Sequence, residues 1–308
     1  MTRGLGVPDK NTRGESRGDE KPHRIQRPDW IKVRAVRTDV QSSMVDALAG
    51  CNTVCLSAKC PNLGECFGRG VATFMIGGPI CTRACRFCGV NHGVPAPLDE
   101  EEPQRVAESV KRLKLRFVVV TGVARDDLPD GGASHYAATV RAIRERTPSV
   151  RVEVLIPDFN GSEKALRTVF DAGPAILNHN LETVRRLTPK IRSKATYERS
   201  LGILDIAGKI AHEIPTKSGM MMGLGETREE VVQTLQDLLA VGCRLVTIGQ
   251  YLQLRANRQV PVERYWTPEE FEEIRQTALS MGFKGVAAGP FVRSSYFAEE
   301  MATAAKER

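Results

Sequence analysis

Seven short runs of apolar or β-branched residues recur from residue 71 onward, and most end in glycine or polar residues. They read VATFMIGG, RFVVVTG, VRVEVLIP, AILNHN, TKSGMMMG, RLVTIGQYL and KGVAAGP, and their length and side chains fit buried strands. Between them the period shifts towards that of a helix. In TREEVVQTLQDLLAVG, Val231, Val232, Leu235, Leu238 and Leu239 fall on one helical face. Thr227 and Glu230 make a capping box at its start, and Gly242 suits its end. TPEEFEEIRQTALSMG repeats the device, with Thr267 as N-cap, Pro268 in the first turn, Glu270 closing the box, and Phe271, Ile274 and Ala278 on one face. Alternating strands and helices predict parallel strands joined by crossover helices. The expectation is an α/β fold, a partial (β/α)6-type TIM barrel over residues 71–290. In such barrels chemistry collects at the C-terminal ends of the strands. There the sequence places Gly77-Gly78, Thr121-Gly122, Pro157-Asp158, His179-Asn180, the turn from Gly223 to Glu226, and Gln250. No internal repeat is visible beyond the alternation.

The flanks differ. Residues 1–27 are rich in glycine, proline and charge without an apolar period, so a disordered basic arm is expected. Residues 28–70 form a cysteine-rich extension, at whose start Trp30 and Ile31 are candidates to dock on the body. Residues 291–308 form a short C-terminal extension. No run approaches about 18 apolar residues, so no membrane span is expected. The first thirty residues lack the apolar stretch of a secretory signal, which points to the cytoplasm. Net charge is +7 over 308 residues, and residues 1–28 hold seven Lys/Arg against four Asp/Glu. The other basic residues are scattered and no zinc-finger or RNP-like pattern accompanies them, so nucleic acid is not an expected partner. Nothing demands more than a monomer.

The chain has 8 cysteines. Seven lie between Cys51 and Cys88, a clustering that in a chain of this size favours a metal over disulfides. Cys81, Cys85 and Cys88 are spaced CxxxCxxC directly after the first strand. Three thiolates can hold three corners of a 4Fe–4S cube and leave the fourth iron open, as a catalytic metal requires and a structural one does not. A zinc ribbon would need paired CxxC units, and only one is present. Upstream, Cys55, Cys60 and Cys66 are spaced CxxxxCxxxxxC, again three ligands without an obvious fourth. Two incomplete sets suggest two clusters with different tasks. Sulfur insertion would use both, and a cluster to be dismantled benefits from a weak, hard fourth ligand.

The motif CTRACRFC, with aromatic Phe87 before the third cysteine, resembles that of the radical S-adenosylmethionine (SAM) superfamily. That resemblance implies SAM chelating the open iron and yielding a 5′-deoxyadenosyl radical. CPNLGEC, ATFMIGG, VTGVARDDLPDGGA, LIPDFNG, HNLETV, KSGMMMGLGET, TIGQYLQ and the late RSSY, spread over residues 28–300, look more narrowly like the lipoyl synthase family. This second resemblance implies two 4Fe–4S clusters, Ser295 as ligand of the auxiliary one, and that cluster as sulfur donor. It implies two SAM molecules and sulfur at C6 and C8 of an octanoyl chain on a lysine of a lipoyl carrier domain, from a 2-oxoacid dehydrogenase E2 or the glycine cleavage H protein. It also implies an external electron donor. A positive rim would steer such domains, which tend to be acidic.

The same resemblance makes Gly223, Gly225 and Glu226 part of the SAM pocket. Thr121 and Gly122, with the following Arg125-Asp126-Asp127, are candidates for SAM or substrate contact, or for a loop ion-pair network. Asn180, with His179, is a candidate for ribose or methionyl contact, or a satisfied polar residue at the rim. Arg293 has a substrate-side or structural role. Met220, Met221 and Met222 are expected in the barrel core, and Cys51 and Cys243 are expected as small buried hydrophobes. Phe67 stands where the family favours tryptophan and Arg185 where it favours proline, departures that bear on loop shape. Two other readings compete. Another two-cluster radical SAM enzyme, methylthiolating or biotin-forming, is disfavoured by the Ser295 motif and the auxiliary spacing. A non-enzymatic iron–sulfur or zinc protein is disfavoured because electron carriers close every ligand site.

Overall fold

Each of the seven apolar runs forms a strand: β1 (Val71–Ile76), β2 (Phe117–Gly122), β3 (Arg151–Leu155), β4 (Ile176–Asn178), β5 (Thr216–Met222), β6 (Leu245–Gln250) and β7 (Gly285–Gly289). The computed structural model describes residues 25–31, 48, 50–54, 60, 62–256 and 258–304. Residues 1–24 of the arm expected over residues 1–27, and the ligand role of Cys55, lie outside the described residues. The seven strands make one sheet in chain order, every pair parallel. Six helical crossovers join them. They are α2 (Glu102–Arg112), α3 (Ala133–Arg146), α4 (Glu163–Phe170), α5 with α6 (Thr188–Ile191 and Tyr197–Ile210), α7 (Arg228–Ala240) and α8 (Pro268–Ser280). A short helix α1 (Leu63–Gly68) precedes the sheet, and α9 (Ala298–Ala304) follows it. β1 and β7 are its two edges, the open arrangement of a partial barrel. No described helix is long and apolar enough to cross a membrane.

Strand alternation sorts side chains to two faces. Outward-facing Phe74, Val118, Val120, Val152 and Val154 pack with Val110, Tyr136, Val140, Leu166 and Val169 of α2, α3 and α4. Met220, Met222, Val246 and Ile248 pack with Leu235 and Leu238 of α7 and Phe271 and Ile274 of α8. Both predicted capping boxes are present, at Thr227–Glu230 and Thr267–Glu270. Gly242 has φ +79° just past the end of α7. Ile31 is buried, whereas Trp30 remains exposed.

The barrel interior is graded from apolar to polar. At the N-terminal ends of the strands, Val71, Phe117, Val119, Ile176, Leu245 and Ala287 pack with Val292, Ala298, Met301 and Ala302, so α9 closes that end. Above this floor, Lys217 Nζ donates to both oxygens of Glu153 at 3.1 Å and Asn178 Nδ2 donates to Glu153 Oε1 at 2.8 Å, all fully buried. Towards the C-terminal mouth two strand positions carry no side chain, and the one at Gly249 makes room for the C-terminal segment. A Cβ on Gly249 would collide with the Val292 carbonyl oxygen, and one on Gly219 would lie 2.7 Å from Asn180 Oδ1 and 2.8 Å from Thr247 Oγ1.

Gly249→Ala is therefore expected to destabilise the protein by about 1–3 kcal/mol through overpacking. Gly202→Ala, within α6 and with nothing near its absent Cβ, is expected to be neutral or stabilising by up to about 1 kcal/mol. Urea unfolding of both variants checks this. Equal effects would mean that residues 292–294 are not held against β6.

Candidate active site

The CxxxCxxC segment is a loop across the C-terminal mouth, and its irregular backbone is held from several strands. Ile80–Cys81 pairs in a two-residue ladder with Asn91–His92. Thr82 N–H donates to Ala124 O at 3.1 Å, and its hydroxyl donates to the same oxygen at 2.9 Å. Arg86 N–H donates to Ile191 O at 2.8 Å, Val260 N–H to Arg86 O at 2.9 Å, and Gln259 Nε2 to Phe87 O at 2.6 Å. Phe87 is half-buried and packs against the core formed by α7 and α8. The central anchor is Arg83. Its Nε and Nη2 reach both oxygens of Asp126 at 2.7–3.2 Å, and Nη2 also donates to Asp158 Oδ1 at 2.7 Å. Burial alone would raise the carboxyls of Asp126 and Asp158, but the Arg83 guanidinium outweighs it and holds both below the usual carboxylate range.

All three thiols of this loop are half-buried and accept backbone N–H groups. Cys81 Sγ receives Arg83 N at 3.4 Å and Ala124 N at 3.3 Å, Cys85 Sγ receives Ser193 N at 3.3 Å, and Cys88 Sγ receives Val90 N at 3.4 Å. Burial pushes the Cys85 thiol up and the Cys88 thiol up to about 12, and the neighbouring thiols add to both shifts. Such thiols lose their protons when a cation takes their place. Among the described residues, no three Cys, His, Asp or Glu side chains converge as the ligands of a single metal ion. Ligands on the corners of a four-iron cube stand farther apart than that.

Beside the loop, the end of β4 gathers polar atoms. Asn180 Nδ2 donates to Ser294 Oγ at 2.7 Å and to Glu182 Oε1 at 3.1 Å, while its Oδ1 is buried without a partner among the described residues. His179 faces the Ile156 carbonyl with Nδ1 at 2.9 Å. A carbonyl only accepts, so Nδ1 carries the hydrogen, and Nε2 is left as a buried acceptor without a partner there. Burial lowers this imidazole to about 4, so it is neutral at pH 7. Glu182 holds φ +69°, and burial raises its carboxyl. A left-handed glutamate at a barrel rim is the strained feature that sequence reading missed, because nothing in HNLETV signals the sign of φ.

The other predicted residues have work within the fold. Thr121 Oγ1 donates to Leu155 O at 3.1 Å. A Cβ on Gly122 would lie 2.8 Å from the Tyr136 hydroxyl and 3.0 Å from Ile76 O. Arg125 donates to Gly77 O and Ala96 O and pairs with Asp127, so the Arg125–Asp127 stretch takes part in a loop ion-pair network. Glu226 turns into its own loop. Oε1 accepts from Gly223 N at 2.5 Å and Trp266 Nε1 at 2.9 Å, and Oε2 accepts from Leu224 N at 2.9 Å. The glycines of that loop have positive φ, Gly223 +101° and Gly225 +102°.

A second group lies at the edge of the sheet. Cys60, Cys66, Asn62, Thr73, Arg293 and Ser295 are among the residues that line a small cavity. Burial raises the Cys60 thiol. Asn62 Nδ2 donates to Phe291 O at 2.7 Å and Tyr296 Oη reaches Glu65 at 3.0 Å, so α1 and the RSSY segment are cross-linked. Adjacent serines thus serve two places: Ser294 bonds Asn180 at the barrel mouth, and Ser295 lines the cavity with Cys60 and Cys66.

A model of the radical SAM superfamily matches residues 75–238. A lipoyl synthase of Caldanaerobacter subterraneus subsp. tengcongensis is 53% identical over 277 residues, covering 89% of this chain and 96% of that one. One from Halalkalibacterium halodurans is 49% identical over 292 residues, covering 94% and 96%. The chain belongs to the lipoyl synthase family. Among solved structures, methylornithine synthase superposes with TM-score 0.53 at 13% identity, covering 81% of this chain and 71% of that one. The [FeFe]-hydrogenase maturase HydG gives 0.51 at 16%, covering 87% and 71%. Both share the fold.

The departures from the family pattern have local explanations. Arg185 stacks over the Tyr197 ring at 4.3 Å and pairs with Glu198 and Asp237, and Phe67 packs against the outer core. Cys243 is fully buried as expected. Cys51 is only half-buried, with Sγ 3.4 Å from Ser109 Oγ.

Arg83→Ala would leave the fully buried Asp158 short of its partner, a loss of about 3–5 kcal/mol. Lowered carboxyl pKa values stabilise the fold above the unfolded value of about 3.9, and that stabilisation disappears as pH falls through the folded values. The wild-type advantage should therefore be full at pH 7 and shrink as acid is added. Urea midpoints at pH 7 and at about pH 3, below the unfolded value, check this. An unchanged midpoint at pH 7 would remove Arg83 from its place as anchor.

Proposed function

We propose that the protein makes the lipoyl group by placing two sulfur atoms, at C6 and C8, on an octanoyl chain carried by a lysine of a carrier domain. Cys81, Cys85 and Cys88 would hold one 4Fe–4S cluster, and Cys55, Cys60, Cys66 and Ser295 the other. The half-buried thiols and their backbone N–H partners fit the first group, since hydrogen bonds to sulfur are a normal feature of cluster sites. The cavity shared by two thiols and a hydroxyl fits the second. With SAM bound, the first cluster supplies a carbon radical able to take hydrogen from an unactivated C–H bond, and the second holds the sulfur to be delivered.

The chain's own residues position and shield. Arg83 fixes the motif loop over the mouth. Asn180, with its unpaired Oδ1, and the Glu182 carboxylate present polar groups to the ribose and amino groups of SAM. Glu226 shapes the glycine loop from behind, so Gly223 and Gly225 would approach the cofactor by backbone. Thr121 and Gly122 form the adjoining wall, and Phe87 caps the motif loop. Ser295 would be a hard and weak ligand among thiolates, suited to a site that gives up its sulfur. The reaction needs an electron donor from outside. The observation that carries this reading is the 292–295 segment, which touches both sites through neighbouring serines.

Anaerobic incubation with SAM, a reductant and an octanoyl-lysyl peptide tests it. The expected product gains two sulfurs, with two deoxyadenosines released. Ser295→Ala should still release deoxyadenosine but lose at least about tenfold in lipoyl product, the order of a lost ligand contact. Equal loss of both products would remove Ser295 from sulfur transfer.

A further inference from the structure

Two of the large apolar side chains that stand exposed, Val94 at 95% and Leu254 at 46%, flank the CxxxCxxC loop. The two segments that carry them are joined. Leu254 Cδ1 lies 3.5 Å from the position a Cβ would take on Gly89. Arg255 Nη1 donates to Asn91 Oδ1 at 3.1 Å, Arg258 Nη1 to the same oxygen at 3.2 Å, and Arg258 Nη2 to His92 Nδ1 at 2.8 Å. Arg185, Arg186 and Arg228 elsewhere on the surface are paired with carboxylates. Among the described residues, exposed Arg255 and Arg258 are not. The turn is built rather than loose. Buried Gln259 accepts Leu254 N–H at 2.8 Å and Arg255 N–H at 2.7 Å on Oε1, while its Nε2 holds Phe87 O. Two unneutralised guanidinium groups and two exposed apolar side chains are thus fixed to the loop that carries the thiols, at the open end of the barrel.

We propose that Val94, Leu254, Arg255 and Arg258 form the docking surface for an acidic protein domain that delivers its acyl-lysine arm to the barrel mouth. This rests on the function proposed above. A modified lysine on a folded carrier can enter the mouth only if the carrier body rests on the rim. Opposite charge accelerates encounter and sets orientation, while apolar contact holds the pair. The net charge of +7 adds to the attraction.

The test is Arg255→Glu with Arg258→Glu, assayed on an octanoylated carrier domain of acidic surface and on a short octanoyl-lysyl peptide. Binding of the fluorescently labelled carrier is measured in parallel by anisotropy, which needs no turnover. Expected are about a tenfold rise in KM and Kd for the carrier, unchanged kinetics on the peptide, and a weaker salt dependence of the carrier reaction. Parallel losses on carrier and peptide, or no change on either, would overturn the docking assignment. If the wild-type protein lipoylates neither substrate, the functional reading itself fails, and the docking surface with it.

Discussion

Arg83 lies between Cys81 and Cys85, and its guanidinium is fixed by Asp126 after β2 and Asp158 after β3. One side chain thus binds the loops following three consecutive strands. The loop itself has little regular structure and could not hold three thiols in place unaided. Removing charged groups from water is costly, and this cost is offset only where the geometry is good and the remaining hydrogen-bonding capacity is filled. Here Asn160 N–H and Arg199 complete the set around Asp158. The anchor is therefore specific to one loop conformation, and that conformation aims the thiols at backbone N–H groups.

From this anchor the architecture extends in two directions. Inward, the barrel passes from an apolar floor sealed by α9, through the Lys217–Glu153–Asn178 layer, to the unpaired acceptors of Asn180 and His179 at the mouth. Outward along the C-terminal segment, Ser294 and Ser295 join that mouth to the cavity of Cys60 and Cys66. The strand β6 carries Gly249 where this segment must pass. Lipoyl synthase chemistry requires a radical site and a sulfur site within reach of one acyl chain. A short segment touching both supports that proximity.

Much of this was legible in the sequence because it is local. Strands announce themselves by β-branched runs ending in glycine, and the caps at Thr227 and Thr267 need only residues three apart. The CxxxCxxC spacing and the RSSY motif are likewise read directly. A loop ion-pair network was one of two readings of Asp126, but its centre at Arg83 was not legible, since Arg83 and Asp158 are 75 residues apart. That the Glu226 carboxylate accepts the N–H groups of its own tight turn was not legible either, because the spacing GLGET does not say which way the side chain turns. The threading of residues 292–294 through the mouth depends on an absent Cβ at Gly249, which alone reads as an ordinary strand glycine.

The two thiol sets divide the labour between them. The most direct measurement is electron paramagnetic resonance of reduced, reconstituted Cys85→Ala and Cys66→Ala proteins, each with and without SAM. The account predicts that each variant keeps one cluster, and that SAM alters the signal only in Cys66→Ala, whose motif loop is intact. A SAM response in Cys85→Ala, or an identical response in both variants, would contradict it.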